Sequence, residues 1–202
     1  MARPVSIQED QILKISRELF MAEGYKVSTS RIARKAGISE GSLFKHFKTK
    51  AGLFLAAMAV QNSESNWQKH LLSSAGTGNI RSTLESTGNL LLQRLRLIMP
   101  RLMMISSSGI TLQKHCTPPG VQPPPLLHIE LLTRYFQAET AAGRLSIPDP
   151  KIQAHAFLGA LSHYAWCETV YQYKPASPSV YVQTVVDVLL KAAKVSKSST
   201  SL

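Results

Sequence analysis

The sequence predicts an all-α chain in two parts, a three-helix helix-turn-helix head joined by a long helix to a larger helical body. Three observations predict this. Apolar residues recur at three- and four-residue spacing along most of the chain, capping and breaking residues fall between these runs, and no stretch alternates as a half-buried strand would.

Between Ile7 and Glu23, residues Ile12, Ile15, Leu19 and Ala22, flanked by Leu13 and Phe20, form a helical stripe that stops at Gly24, a natural C-terminal cap. Ser28 caps a short second helix, Thr29 to Lys35, with Ile32 and Ala33 inward, and Gly37 supplies the left-handed turn. A third helix starts near Ser39 and runs through Leu43, Phe44 and Phe47. Thr49 opens a fourth, expected to reach Leu72 with Leu53, Ala57, Val60, Trp67 and Leu71 in one register.

Past the Ser/Gly-rich break at Ser73 to Gly78, helices are expected at Ile80 to Met99, briefly after Pro100, and then at Leu126 to Ala142, Lys151 to Lys174 and Ser179 to Lys194. Asp149-Pro150 and Ser177-Pro178 each set a capping side chain before a proline at the first helical position, where its missing N–H is not needed. The Pro-rich segment Cys116 to Pro125 reads as a lid or as unstructured chain, and the Ser-rich tail after Val195 as disordered. The expected domains are therefore 1–52, 53–195 and a tail, 196–202.

A 202-residue chain with 44% hydrophobic residues can bury one or two cores. Its formal charge of +11 suits a polyanionic partner, whether nucleic acid, anionic membrane or acidic protein. No apolar run reaches the length of a bilayer span and no leader-like segment opens the chain, so a cytoplasmic protein with no membrane partner is expected. Cys116 and Cys167 match no CxxC pattern and are expected as reduced thiols.

The basic excess concentrates on the helix-turn-helix. Between Ser28 and Lys50 stand Arg31, Arg34, Lys35, Lys45, Lys48 and Lys50 against the single acid Glu40. Two helices joined by a tight turn can set the second in a DNA major groove, but on spacing alone an ordinary helical hairpin with a solvated basic face fits as well.

The residues themselves separate the two. The run Leu19-Phe20-Met-Ala-Glu-Gly24-Tyr25, followed by Ser28-Thr29-Ser30-Arg-Ile32-Ala33-Arg-Lys-Ala36-Gly37-Ile38-Ser39-Glu-Gly41-Ser42-Leu43-Phe44-Lys-His46-Phe47-Lys-Thr-Lys50, resembles the tetracycline-repressor (TetR) family, in unbroken spacing from Ile12 to Leu53. The resemblance implies a DNA-binding head, a connector helix, and an effector-binding body whose last two helices pair with a second copy. Carried over by position, it implies that Thr29 meets a phosphate and Ser30 reaches a base. Glu40, Gly41, Ser42 and Lys45 face bases, Phe44 and His46 pack on the sugar-phosphate backbone, and Lys50 meets a phosphate. Two positions depart from the family pattern: Phe44 replaces the usual tyrosine and so lacks its hydroxyl, and Ala51 replaces an acid.

Other constellations are weaker. His163 and Cys167 stand four apart with His155 two turns earlier, but further ligands would have to come from His115 or Cys116, so no metal site is expected. The same pair leaves little room for substrate, and neither an enzyme nor a cofactor is expected. Trp67, Met103, Met104, Tyr135, Phe136, Tyr164 and Trp166 are the candidates to line a pocket for a largely apolar effector. In the Lys151 to Lys174 helix, Ala156, Gly159, Ala160 and His163 make a small-residue strip. The last helix, with Val182, Val185, Val186, Leu189 and Leu190, carries more apolar surface than an outer helix needs, so these two helices are expected at a homodimer interface. The expected partners are double-stranded operator DNA, a small effector and a second copy. The competing reading is a helical scaffold that holds an acidic partner without regard to DNA sequence.

Overall fold

The computed structural model describes residues 5–59, 66–110 and 124–193. Among them the regular elements are all helices: α1 (Val5–Glu23), α2 (Thr29–Lys35), α3 (Glu40–Phe47), α4 (Lys50–Met58), α5 (Asn66–Ser73), α6 (Ile80–Ser107), α7 (Pro124–Ala141), α8 (Pro150–Tyr171) and α9 (Pro178–Ala192). None of them is long and apolar enough to cross a membrane.

The chain divides into two compact units, Met1–Gln61 with Pro100–Val121, and Asn62–Met99 with Gln122–Leu202. The boundary expected at 52/53 falls inside α4, because Leu53, Phe54, Leu55, Ala57 and Met58 are all buried in the first unit's core. That core also holds Ile12, Leu19 and Phe20 of α1, Ile32 of α2, Leu43 and Phe47 of α3, and Ile105 of α6. Phe54 is its pivot, meeting the rings of Phe20 and Tyr25 edge-on at 4.9 Å each.

The long connector helix expected from Thr49 to Leu72 is not one helix. α4 ends at Ala59, whose ψ of 139° is extended backbone. Two arginines satisfy carbonyls that this ending strands: Arg17 Nε donates to Ala57 O at 2.7 Å and Arg101 Nη1 to Ala59 O at 3.1 Å. The continuous register seen in the sequence thus joins two helices of different units, since Leu53 and Ala57 lie in the first core and Trp67 and Leu71 in the second.

The second core gathers Trp67 and Leu71 of α5, Leu84, Leu91 and Leu92 of α6, Leu132, Tyr135 and Phe136 of α7, Phe157, Leu158 and Leu161 of α8, and Val182, Val186 and Leu189 of α9. Gly88 has no space for a side chain, because a Cβ there would stand 2.7 Å from Val182 Cγ1 and 3.2 Å from Phe157 Cζ. Charge pairs tie α6 to its neighbours: Arg96 holds Glu168 through two bonds of 2.6 and 2.7 Å, and Arg81 binds Asp187. The Arg96 hydrogen bonds, with Lys174 at 3.0 Å, keep the Glu168 carboxyl below its ordinary range.

Three boundaries depart from the sequence reading. Pro100 does not end α6, which runs through it. Buried Leu91 and Leu92 before the proline and Ile105 after it anchor both sides of the helix, which offsets an interior-proline cost of about 3 kcal/mol. α8 stops at Tyr171, short of Lys174, where Gln172 takes a left-handed conformation with φ 52°. Asp149 caps α8 by accepting from the Lys151 and Ile152 amides, whereas the expected Ser177 cap makes no such bond and Pro178 alone marks the start of α9. Of the Pro-rich segment, Cys116 to Pro123 lies outside the described residues, while Pro124 and Pro125 open α7.

Candidate nucleic-acid interface and a polar seam

Each helix of the reading head begins on a hydroxyl. Ser28 Oγ accepts from the Arg31 amide at 3.3 Å, Ser39 Oγ from Ser42 at 3.1 Å, and Thr49 Oγ1 from Gly52 at 3.0 Å. These caps leave the remaining first-turn amides of α2, α3 and α4 available to acceptors. α3 buries Leu43 and Phe47 and turns Glu40, Gly41, Phe44, Lys45 and His46 outward. The Phe44 ring is 37% exposed and stands among cations.

Electrostatics sorts those cations. Arg31 pairs with Glu23 at 2.9 Å, Lys35 with Glu18 at 3.9 Å, and His46 Nδ1 lies 3.8 Å from Glu9. Among the described residues Arg34, Lys45 and Lys48 pair with no acid. Lys50 Nζ sits 4.6 Å above the Tyr25 ring, a cation–π contact that holds the ammonium at the start of α4. The hydroxyl of Thr29, first residue of α2, donates to Glu40 Oε1, first residue of α3.

The second unit holds a different feature. Among the described residues, four of the five buried polar or charged ones belong to it: Thr83, Thr87, His128 and Glu139. Thr83, Thr87 and Arg94 recur at four and seven residues along α6, and His128, Tyr135 and Glu139 at seven and four along α7, so each trio follows one face. The Tyr135 hydroxyl is buried without a hydrogen-bond partner, and burial, then the Glu139 charge, raises its phenol well above the ordinary range. At the far end His128, 5% exposed, meets Trp67 edge-on at 5.2 Å. Burial, and secondarily the Arg94 charge, lowers its imidazole to about 4. Trp67 Nε1 and Thr87 Oγ1 are buried with no hydrogen-bond partner.

Comparison with known proteins decides the lineage. The family of bacterial regulatory proteins of the tetR type matches residues 12–57, and the C-terminal domain of AefR-like transcriptional repressors matches residues 124–192. The chain belongs to the TetR family of transcriptional regulators. Over 62 residues it is 40% identical to the HTH-type transcriptional regulator QacR of Staphylococcus aureus, a stretch covering 30% of this chain and 32% of QacR. The chain therefore spans about a third of the curated relatives it matches. In fold, TetR likeness covers nearly everything. A structure assigned to the TetR family from Mesorhizobium loti superposes with a TM-score of 0.71 at 18% identity, over 96% of this chain and 100% of that one. NalD, the secondary repressor of the MexAB-OprM multidrug efflux pump in Pseudomonas aeruginosa, gives 0.60 at 18% identity, over 96% and 100%.

Within this TetR-family chain the residues singled out for DNA, Thr29, Ser30, Glu40, Gly41, Ser42, Phe44, Lys45, His46 and Lys50, all lie on α2, α3 and the start of α4, with Ser42 and Lys50 half-buried and Thr29 likewise. Four of the seven pocket candidates share one core and three lie elsewhere. Trp67, Tyr135, Phe136 and Tyr164 are all buried in the second core, and the Tyr164 hydroxyl donates to Ala176 O at 2.9 Å. Trp166 is 37% exposed beside His163, and Met103 and Met104 belong to the first unit, on α6 beyond Pro100. His163 Nε2 lies 3.5 Å from Cys167 Sγ, and no group of three potential ligands forms among the described residues. Thr83, Thr87, Arg94, His128 and Glu139 were missed, although polar residues at helical spacing on otherwise apolar faces were visible in the sequence.

Proposed function

We propose that the chain is a homodimeric repressor that reads a partly palindromic duplex through α3 and leaves it when a small molecule occupies the interior of the second unit. The observation that carries this is the outward face of α3, with a carboxylate, a backbone approach at Gly41, an exposed ring and an unpaired ammonium over two turns, flanked by Thr29 and Lys50 at helix starts. Glu40 suits cytosine N4 and Lys45 suits guanine, while Thr29 and Lys50 suit phosphates.

Dimerisation is supported by two exposed stripes. On α8, Ile152, Ala156, Gly159, His163 and Trp166 face outward at helical spacing, and on α9 Val180, Thr184 and Val188 do. Of the apolar residues that the sequence sets on the last helix, Val182, Val186 and Leu189 pack inside their own chain and leave the outward stripe to Val180, Thr184 and Val188. Two copies double a reading site that one short helix leaves too small for genomic specificity.

Selection of bound sequences from random duplexes, followed by anisotropy titrations at several salt concentrations, tests the reading. Lys50→Ala and Thr29→Ala should weaken all duplexes about equally, and the lysine change should flatten the salt dependence. Lys45→Ala and Glu40→Ala should change which sequence is preferred. Binding that ignores sequence, or a Lys50→Ala protein of unchanged affinity, overturns it.

A further inference from the structure

The outward strip of α8 is balanced about Gly159. Three residues to either side stand Ala156 and Ser162, four to either side His155 and His163, and seven to either side Ile152 and Trp166. Ile152 is 66% exposed and Trp166 37%. A Cβ at Gly159 meets nothing within 4 Å, so the helix backbone is open there to a neighbour. Where two copies of α8 cross antiparallel at Gly159 about a two-fold axis, each residue faces the one equally far on the other side of the glycine. Small residues then meet at the crossing, and Ile152 meets Trp166 of the partner subunit. A parallel pairing would instead set indole against indole. In the antiparallel register His163 faces His155 of the partner subunit.

His163 carries a second group with it. One turn on, Cys167 Sγ lies 3.5 Å from His163 Nε2, close enough to share a hydrogen bond. The same separation is that of two ligands on one tetrahedral zinc ion. A Zn–S bond of about 2.3 Å and a Zn–N bond of about 2.0–2.1 Å, at a tetrahedral angle, set sulfur and nitrogen about 3.5 Å apart. A zinc site needs a third protein ligand, and the chain's own His155 is eight residues away, about 12 Å along the helix. Among the described residues of one chain no group of three potential ligands forms.

We propose that the dimer binds zinc at symmetry-related sites, each built from His163 and Cys167 of one subunit and His155 of the partner subunit. The site rests on the homodimer proposed for this chain and is incomplete without the second copy. Two imidazoles and a thiolate hold the ion, a fourth position is left to water, and the Cys167 proton passes to solvent on binding. Each ion ties one subunit to the other, so zinc favours the dimer.

The test titrates the full-length, chelator-stripped protein with Co2+, whose absorption reports its ligands, and then with Zn2+ in competition. The expected result is about one ion per chain, as the symmetry requires, with a thiolate-to-cobalt charge-transfer band that Zn2+ abolishes. Zinc at about ten times its dissociation constant should tighten the dimer about a hundredfold in sedimentation, since two sites each contribute a factor of about ten. Cys167→Ser should remove the band. His155→Ala and His163→Ala should each weaken binding at least about tenfold, the loss found even for groups that only orient a ligand. Mixing the His155→Ala and Cys167→Ser proteins should restore the band, because one site of each mixed dimer keeps all three ligands. If these two variants keep the parent's helicity and lose the band singly but do not regain it together, the shared site is overturned. Sedimentation of the metal-free protein keeps the two proposals apart. A stable dimer that gives no thiolate band with cobalt refutes the zinc site and leaves the dimer standing, whereas a protein that stays monomeric at every zinc concentration refutes both.

Discussion

Replacing His128 by leucine should make the protein less sensitive to acid. In the folded chain the imidazole is 5% exposed and, through burial first and Arg94 second, titrates at about 4 instead of 6.5. The fall from 6.5 to about 4 corresponds to ~3 kcal/mol between the two protonation states. Above pH 6.5 the imidazole is neutral whether the chain is folded or not, and its full contribution is present. As the pH falls from 6.5 towards 4 the unfolded chain takes up a proton that the folded chain refuses, so stability is lost across that window. Glu168, held below its ordinary range by Arg96, loses its contribution in the same direction but at lower pH. Urea unfolding followed by Trp67 emission in the Trp166→Phe background, at about pH 7 and about pH 4.5, should show most of those ~3 kcal/mol disappearing in the parent and little of it in His128→Leu. If both proteins lose the same amount between these conditions, His128 is not the group responsible and the account of its burial is wrong.

Three further outcomes follow from the geometry. Glu139→Gln removes the charge that faces Arg144, whose side chain is 27% exposed and can turn partly to water, so the cost should be about 2–3 kcal/mol, with faster hydrogen exchange at the Gly76 amide. Phe44→Tyr gives an exposed ring a hydroxyl and should tighten operator binding by about 1 kcal/mol in anisotropy titrations, and unchanged affinity would mean that the ring does not reach the sugar-phosphate backbone. Val188→Glu, at a position 64% exposed in the single chain, should leave helicity intact and yield monomers in sedimentation; a dimer of unchanged stability would move the interface elsewhere.

The head was legible because its signals are local. Ser28, Ser39 and Thr49 announce helix starts by chemistry that acts within three residues, and Gly24 and Gly37 take the positive φ that their positions suggested. The body was less so. Met103 and Trp67 look alike as pocket material in sequence, yet which core a side chain enters depends on where distant helices pack, and Met103 went to the other unit. The apolar register from Leu53 to Leu71 misled for a similar reason, since periodicity shows which face is apolar but not whether the backbone is continuous between two apolar turns. Pro100 was overruled by packing on both sides of it, and the α6–α7 seam escaped notice because isolated polar residues inside apolar stripes usually count as noise.

The hydrogen bond between Thr29 and Glu40 gives selectivity a particular thermodynamic form. In the free head, the carboxylate that would judge a base and the hydroxyl that would grip a phosphate are already spending their bonds on each other. Docking is then an exchange, in which one internal bond is given up for two external ones. On a matching duplex the exchange leaves a modest surplus. On a wrong duplex the threonine would still find its phosphate under the proposed reading, but the glutamate would be left dehydrated against an acceptor-rich groove, and an unsatisfied buried carboxylate costs more than a satisfied one gains. If Glu40 reads a base as proposed, it would act less as an attraction for the right sequence than as a veto on the others, and its removal should broaden the set of duplexes bound more than it weakens the best of them.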